Sequence, residues 1–462
     1  MSDGVLALSD LTSRGVHPRV RAAARLDPYW DGLWKSGALA SWVSSESVKR
    51  QAESGLGRIP AHLDIDPDEA FESFTSAWVW RRKLEVLGMV NAWRTMTDQQ
   101  LAALVGAPSL AGRSGLLDTA FAAGLLDHGS FVGSMGQAHP ASHTRLLRPS
   151  ALDTYTRRLL PLLTYPEQVM VTGGRRLRVG GQYDRHNLLT TELALRVAEF
   201  CDVGAVMGET YASLDLLLGT GLGREEIKGN PAADAAFIRP DGMRVAIELT
   251  ASITGHFKDK VRRWAQHMSK ASMSLSGLTV LFIGAPPPDR YPPAERNAFA
   301  SQMTKMIREV VDEYPGVPGT RHADRIGMAM WHDYFPARGK VTTDFLSLTA
   351  RIPSGAKGKP WDRKGMLDEF DIPFTPMDPQ RTEASHTGAA TVISSPVWLR
   401  RAGQPYQFHN YAMNVAGFDT APIPQPDPRH REGFDPHVHR GPGALAKPPA
   451  RLTITTLRDE GG

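Results

Sequence analysis

Two carboxylates, Asp234 and Glu248, are the residues whose type and spacing best suit chemistry. They lie in PAADAAFIRPDGMRVAIELTASITGHFKDK, residues 231–260. The stretch reads as an apolar run with Asp234, a Pro-Asp-Gly turn, an apolar run with Glu248, then a basic helix. Proline presets φ and glycine accepts positive φ, so the turn predicts a hairpin. Side chains alternate along a strand, which puts Asp234, Ala236 and Ile238 on one face and Ala246, Glu248 and Thr250 on a face of the partner. Depending on register, the acids either converge or stand as separate polar residues at strand ends. Converged, they suit a hard cation, Mg²⁺ or Mn²⁺, which takes one or two carboxylates together with phosphate oxygens.

The elements around the hairpin must hold it in place. HNLLTTELALRVAEF predicts an amphipathic helix with Glu192 at its middle, and GAVMGETYA a strand. After the hairpin, Gly255 to Ser272 reads as a helix. Lys258, Lys260, Arg262, Arg263, His267 and Lys270 oppose apolar Val261, Trp264, Ala265 and Met268. The continuous apolar run LTVLFIGA predicts a buried strand. From Asn187 the order is helix, strand, strand, strand, helix, strand.

Upstream, residues 74–149 predict three helices and a hairpin. Thr97 serves as an N-cap, Gly106 as a stop, the third helix spans about Leu110 to Ala123, and a wing runs from His128 to Leu147. That is the pattern of a winged helix, whose third helix enters the DNA major groove. Arg113, Ser114 and Thr119 would then face DNA, with His139, His143 and Arg145 near the wing. Arg175, Arg176 and Arg178 add a basic cluster, and Lys258, Arg262 and Arg263 a basic helix face. The Gly-rich LLLGTGLGREE lacks phosphate-loop spacing and reads as a loop.

The helix with an acid, an Asp on the second strand and a Glu on the third resembles the core of the PD-(D/E)xK nuclease superfamily. Thr250 stands where the motif's Lys would be. The wider arrangement, a winged helix, the HN…E helix and AD…RVAIEL…K…RRW, resembles the actinobacterial replication-relaxation family of plasmids and mobile elements. There the Lys moves to the following helix, and Lys260 stands at the matching place; Asp234 is preceded by Ala rather than Pro. The resemblance covers residues 74–285. It implies an α/β (α+β) fold, an N-terminal winged helix followed by a mixed sheet flanked by helices. It also implies DNA as partner and metal-dependent phosphodiester cleavage or nicking. Asp234 and Glu248 would hold Mg²⁺, Lys260 would stabilise charge, and Glu192 would orient a water or metal beyond the direct ligands. The alternatives are a non-catalytic winged-helix replication accessory or transcription regulator that keeps the nuclease scaffold, and a structural or assembly protein.

Composition narrows the class. The 462 residues carry a formal charge of +4 and are 41% hydrophobic, which suits a multidomain globular protein and permits a polyanion partner. Cys201 is the only cysteine, so an intrachain disulfide is excluded and a cytoplasmic setting is expected. No run is long and apolar enough to predict a membrane span. The expected divisions are a helical extension at 1–73, the winged helix at 74–149, the nuclease-like domain at 150–352, and an irregular tail at 353–462. That Pro-, His- and Arg-rich tail, with His437 and His439, predicts disorder and contact with partner proteins. Residues 326–335 and 341–352 read as strands. Tyr334, as a relaxase-type nucleophile, lacks a nearby His triad.

Overall fold

The computed structural model describes residues 4–13, 16–76, 78–132, 143–163, 171–172, 184–203, 205–212, 232–239, 243–270, 277–314, 325–353 and 361–368, with a few isolated positions. It is a mixed α/β structure. The first half contains β1 (Val5–Ala7), β2 (Leu39–Val43), α1 (Ser45–Glu53), α2 (Pro67–Thr75), α3 (Trp80–Trp93), β3 (Met96–Thr97), α4 (Asp98–Val105), α5 (Gly115–Ala122), β4 (Leu126–Val132) and β5 (Leu146–Pro149). Thr97 caps α4 as expected: its hydroxyl accepts the Gln100 N–H and the Gln100 side chain returns the bond to Thr97 N–H. Gly106 ends the helix in the left-handed region at φ 67°. The third helix is shorter than its apolar content suggested. Pro108–Leu110 forms a separate 3₁₀ turn, and Gly112 turns the chain at φ 81° before α5 starts. β4 and β5 pair antiparallel with His128 opposite Leu147. Residues 133–142 between them, including His139, lie outside the described residues, and His143, just before β5, is exposed.

The first 73 residues, expected as a helical extension, carry α1 and the start of α2 but also two strands. β2 pairs with β4 and completes a four-stranded sheet in the order β2-β4-β5-β3, while β1 pairs with Lys340–Thr342, more than 300 residues along the chain. Between them, Val20, Tyr29, Leu33 and Trp34 are buried.

The second half adds α6 (Asp184–Phe200), β6 (Ala205–Gly208), β7 (Ala235–Ile238), β8 (Arg244–Thr250), α7 (Gly255–Lys270), β9 (Leu278–Gly284), α8 (Pro293–Glu313), β10 (Ile326–Met330), β11 (Lys340–Thr342), β12 (Thr349–Ile352) and β13 (Asp362–Gly365). Seven of these strands form one sheet, ordered β13-β12-β10-β9-β8-β7-β6. β8, β9 and β10 are parallel neighbours. Parallel strands require long crossovers, which α7 and α8 provide. β6 and β7 extend the sheet antiparallel on one side, β12 and β13 on the other. Every residue of β9 is buried, as its apolar run predicts. β6 meets α3 closely: a Cβ on Gly208 would stand 2.4 Å from the Ala92 carbonyl oxygen.

Residues 326–335 are not one strand. Met330 N–H donates to Asp333 Oδ2 at 2.9 Å and starts a one-turn helix, Trp331–Tyr334. A second short helix, Thr343–Leu346, likewise divides 340–352 into β11 and β12. Because β13 pairs with β12, the sheet continues past the expected boundary at 352. Among the described residues, no helix is long and apolar enough to cross a membrane.

α6 is anchored by a buried cluster of charge. Arg25 reaches Glu192 at 3.0 and 3.2 Å and Glu199 at 3.2 Å. Arg196 reaches Glu192 at 3.0 Å and Asp27 at 2.9 Å. Glu199 also accepts from Ala22 N–H and the Ser13 hydroxyl, and Glu192 from the Gln100 amide. Glu192 and Glu199 are completely buried, and Arg196 is 1% exposed. Such charges are tolerated only when fully paired. Arg25→Ala would leave two buried carboxylates short of a partner. It is expected to cost about 3–5 kcal/mol in urea unfolding, whereas truncating exposed Arg113 should cost less than about 0.5 kcal/mol.

Candidate functional site

Strand register decides whether the two acids meet. Ala235 pairs with Ile247 and Ala236 with Ala246, so one further step places Asp234 opposite Glu248. Asp234 N–H donates to the Ile247 carbonyl at 2.9 Å, and Leu249 N–H donates to Asp234 Oδ2 at 2.7 Å. Asp234 is thus tied to β8 through both its backbone and its carboxylate.

α7 covers this strand face with Val261, Trp264, Ala265 and Met268, all buried. Lys260 and Trp264 stand one turn apart on the helix, so both reach the same strand residue. Lys260 Nζ lies 2.5 Å from Glu248 Oε2 and 3.9 Å from Asp234 Oδ2. The Trp264 indole N–H donates to Glu248 Oε1 at 2.8 Å. Glu248 forms the floor at 2% exposure, while the Asp234 and Lys260 side chains, 24% and 31% exposed, form the open side. Lys258, the other lysine considered on this helix, faces away and pairs with Glu309 at 2.9 Å.

Burial raises the Glu248 carboxyl above the usual carboxylate range; Lys260 opposes that shift and Asp234 adds to it. Burial pulls Lys260 down, but the charges of Asp234 and Glu248 outweigh it and hold the ammonium well above the usual lysine value. His186, in the first turn of α6, belongs to the same electrostatic neighbourhood. Burial lowers it to about 4, Lys260 and Arg185 push in the same direction, and Glu248 opposes them. Its ring centroid is 5.4 Å from that of Trp34. The imidazole is therefore neutral at physiological pH. In the sequence, His186 is visible only as the first letter of the HN…E pattern, with no role attached.

The donor set meets the modest demand of Mg²⁺ or Mn²⁺. Two carboxylates are brought together, with Glu248 Oε2 buried against the Lys260 ammonium at 2.5 Å, so a cation would share their negative charge with that lysine. No group of three or more His, Cys, Asp or Glu assembles among the described residues. Water and substrate oxygens would complete the shell, as is usual for Mg²⁺.

Glu192 does not take part. It was expected beside the metal, but both its carboxylate oxygens are committed to Arg25, Arg196 and Gln100. Thr250, at the position of the displaced Lys, donates to the Ser252 carbonyl at 3.0 Å in an exposed turn. Tyr334 is fully buried, and its hydroxyl donates to the Thr349 carbonyl at 3.1 Å.

The residues expected to contact DNA are not gathered on one surface. Arg262 pairs with Asp259 at 3.0 Å and Glu313 at 3.3 Å, so the acidic side of α8 neutralises much of the basic face of α7; Arg263 remains exposed. On α5, Leu117, Asp118, Ala120 and Phe121 are buried, and the helix packs against α2. Ser114 is also buried and Thr119 half-buried, which leaves Arg113 as the exposed member of that group. Arg145 is held by Asp118 at 2.8 Å. Packing of α5 against α2, a partner that local periodicity does not register, is what leaves so little of this helix exposed. Arg175 and Arg176 lie outside the described residues. A cavity of about 530 Å³ sits elsewhere, between α1 and residues 152–158. Its rim charges pair among themselves, as in Arg157–Asp153 at 2.8 Å.

Comparison with protein-family models, with curated proteins and with solved structures finds no match to this chain.

The Lys260–Glu248 pair gives stability a specific pH dependence. Because the folded Glu248 carboxyl titrates above its unfolded value, its proton is taken up more readily in the folded state as pH falls. Lys260→Met should therefore destabilise by about 2 kcal/mol at pH 8, less than a fully buried pair because Lys260 is partly exposed. The loss should shrink as the pH is lowered from 8 toward 4 and Glu248 takes up its proton. Urea unfolding at the two pH values measures this difference, and adding Glu248→Gln should abolish it.

Proposed function

We propose that this chain binds DNA and cleaves or nicks a phosphodiester with the help of a divalent metal. In this reading it is a mobile-element protein with a winged helix and a PD-(D/E)xK-like core, of the replication-relaxation type. The observation that carries the reading is the convergence of Asp234 and Glu248 on Lys260, delivered from the following helix where the motif's own position holds Thr250. A solvated polar residue at each strand end would not require this. Support for the rest comes from helices α3 to α5 followed by the β4–β5 hairpin, and from α6 packed against β6 and β7.

Asp234 and Glu248 would hold the cation between the open side and the floor of the site. A bound Mg²⁺ supplies Lewis acidity toward the phosphate and lowers the pKa of an attached water. Lys260 carries a secure positive charge beside both acids and stabilises negative charge developing on the phosphate oxygens. Neutral His186 adds no charge of its own to this neighbourhood. The role expected for Glu192 is left out, since its charge is already spent on arginines.

Asp234→Ala and Glu248→Ala should each reduce Mg²⁺- or Mn²⁺-dependent nicking of supercoiled plasmid by more than about 100-fold, beyond the loss typical of residues that merely orient ligands. Gel-shift affinity for the same DNA should change little. Wild-type protein inert on linear, supercoiled and single-stranded DNA with either metal would replace cleavage by the non-catalytic binding role.

A further inference from the structure

Glu248 is held in two chemically different ways. One oxygen, Oε1, receives the indole N–H of Trp264 at 2.8 Å. The other, Oε2, is buried and paired with the Lys260 ammonium at 2.5 Å. Trp264 is itself 3% exposed, so the indole has little freedom to choose another partner. Its N–H is a donor only and carries no formal charge. It fixes the carboxylate plane without neutralising it; an arginine or second lysine there would consume the charge a cation needs. Asp234 is treated alike: a neutral donor, Leu249 N–H, holds its Oδ2 at 2.7 Å.

The spacing on α7 explains how one helix does this. Lys260 and Trp264 are four residues apart, so they rise from the same helix face and straddle the carboxylate, one offering charge and the other direction.

We propose that Trp264 is a positioning residue of the site, orienting Glu248 toward Lys260 and toward a divalent cation that Glu248 would share with Asp234. This rests on the functional reading above and extends it to a residue that touches neither metal nor substrate. Ligating carboxylates depend on such outer partners, whose loss typically costs about 10–100-fold in metal affinity.

The test is Mn²⁺ binding by the full chain, followed by isothermal calorimetry without DNA, so that no catalytic readout is involved. Glu248→Gln should abolish binding, and Trp264→Phe, which keeps an aromatic core side chain but removes the N–H, should weaken it by about tenfold or more. Trp264→His, which restores a ring N–H in a smaller side chain, should recover part of the loss. Equal weakening in the Phe and His variants would assign the effect to packing and overturn the proposal. Phe-variant affinity equal to wild type, with Glu248→Gln still inactive in binding, would overturn it while leaving the metal site standing. A wild type that binds no Mn²⁺ would overturn both.

Should the Phe variant fail to fold, the wild-type indole N–H resonance that Glu248→Gln displaces provides the second measurement. It should shift on addition of Mg²⁺, and a resonance unmoved at saturating Mg²⁺ would refute the role.

Discussion

Five ionised side chains are buried where residues 13–30 cross α6: Arg25, Asp27, Glu192, Arg196 and Glu199. Two guanidiniums among three carboxylates do not balance, and the deficit is met by neutral donors, including Ala22 N–H, the Ser13 hydroxyl and the Gln100 amide. Arg196 also lies 4.4 Å over the Phe335 ring. Desolvation makes each of these charges costly alone. Their combined pairing ties the start of the chain, α4 and α6 into one arrangement and sets where the first turn of α6 can go. That turn carries His186 toward the carboxylate site, so the site's environment depends on a cluster that performs no chemistry.

The same early segment covers the carboxyl-terminal ends of the parallel strands. The Trp34 indole donates to the Ala285 carbonyl just after β9, and the Tyr29 hydroxyl to the Pro286 carbonyl at 2.8 Å. Ala285 N–H in turn donates to Thr250 at the end of β8. Open α/β sheets place ligands beyond this edge. Here the edge is partly closed by aromatic side chains, leaving the accessible side of the site where Asp234 and Lys260 emerge. Glu248 remains at the floor, where low exposure strengthens each electrostatic contact it makes.

Among the described residues, much of the basic charge on α7 is paired internally. Lys258 and Arg262 would make α7 a basic surface if α7 stood alone, but Glu309 and Glu313 on α8 turn that face into an interhelical seam. Arg145 is similarly absorbed by Asp118. Exposed ion pairs of this kind contribute little stability individually. Their consequence is for the surface: any anionic ligand approaching α7 would have to compete with Glu309 and Glu313 for these cations.

Much of this was legible in the residues themselves. The order of elements around the acids, the cap at Thr97, the stop at Gly106 and the buried strand at 278–284 follow from turn chemistry, capping and apolar periodicity, which act over a few residues. So does the placing of Asp234 and Glu248 on adjacent strands. Tertiary structure alone decided that the register sets these acids opposite one another and that Lys260, rather than Lys258, meets them. It also decided that Trp264 divides the two oxygens of Glu248. The pairing of Glu192 escapes the sequence for the same reason: its partner Arg25 lies 167 residues away, and pairing over such a distance leaves no local pattern to read. Sequence determined which chemical groups were available and on which elements; packing decided which of them touch, because burial makes an unpaired charge too costly to leave to chance.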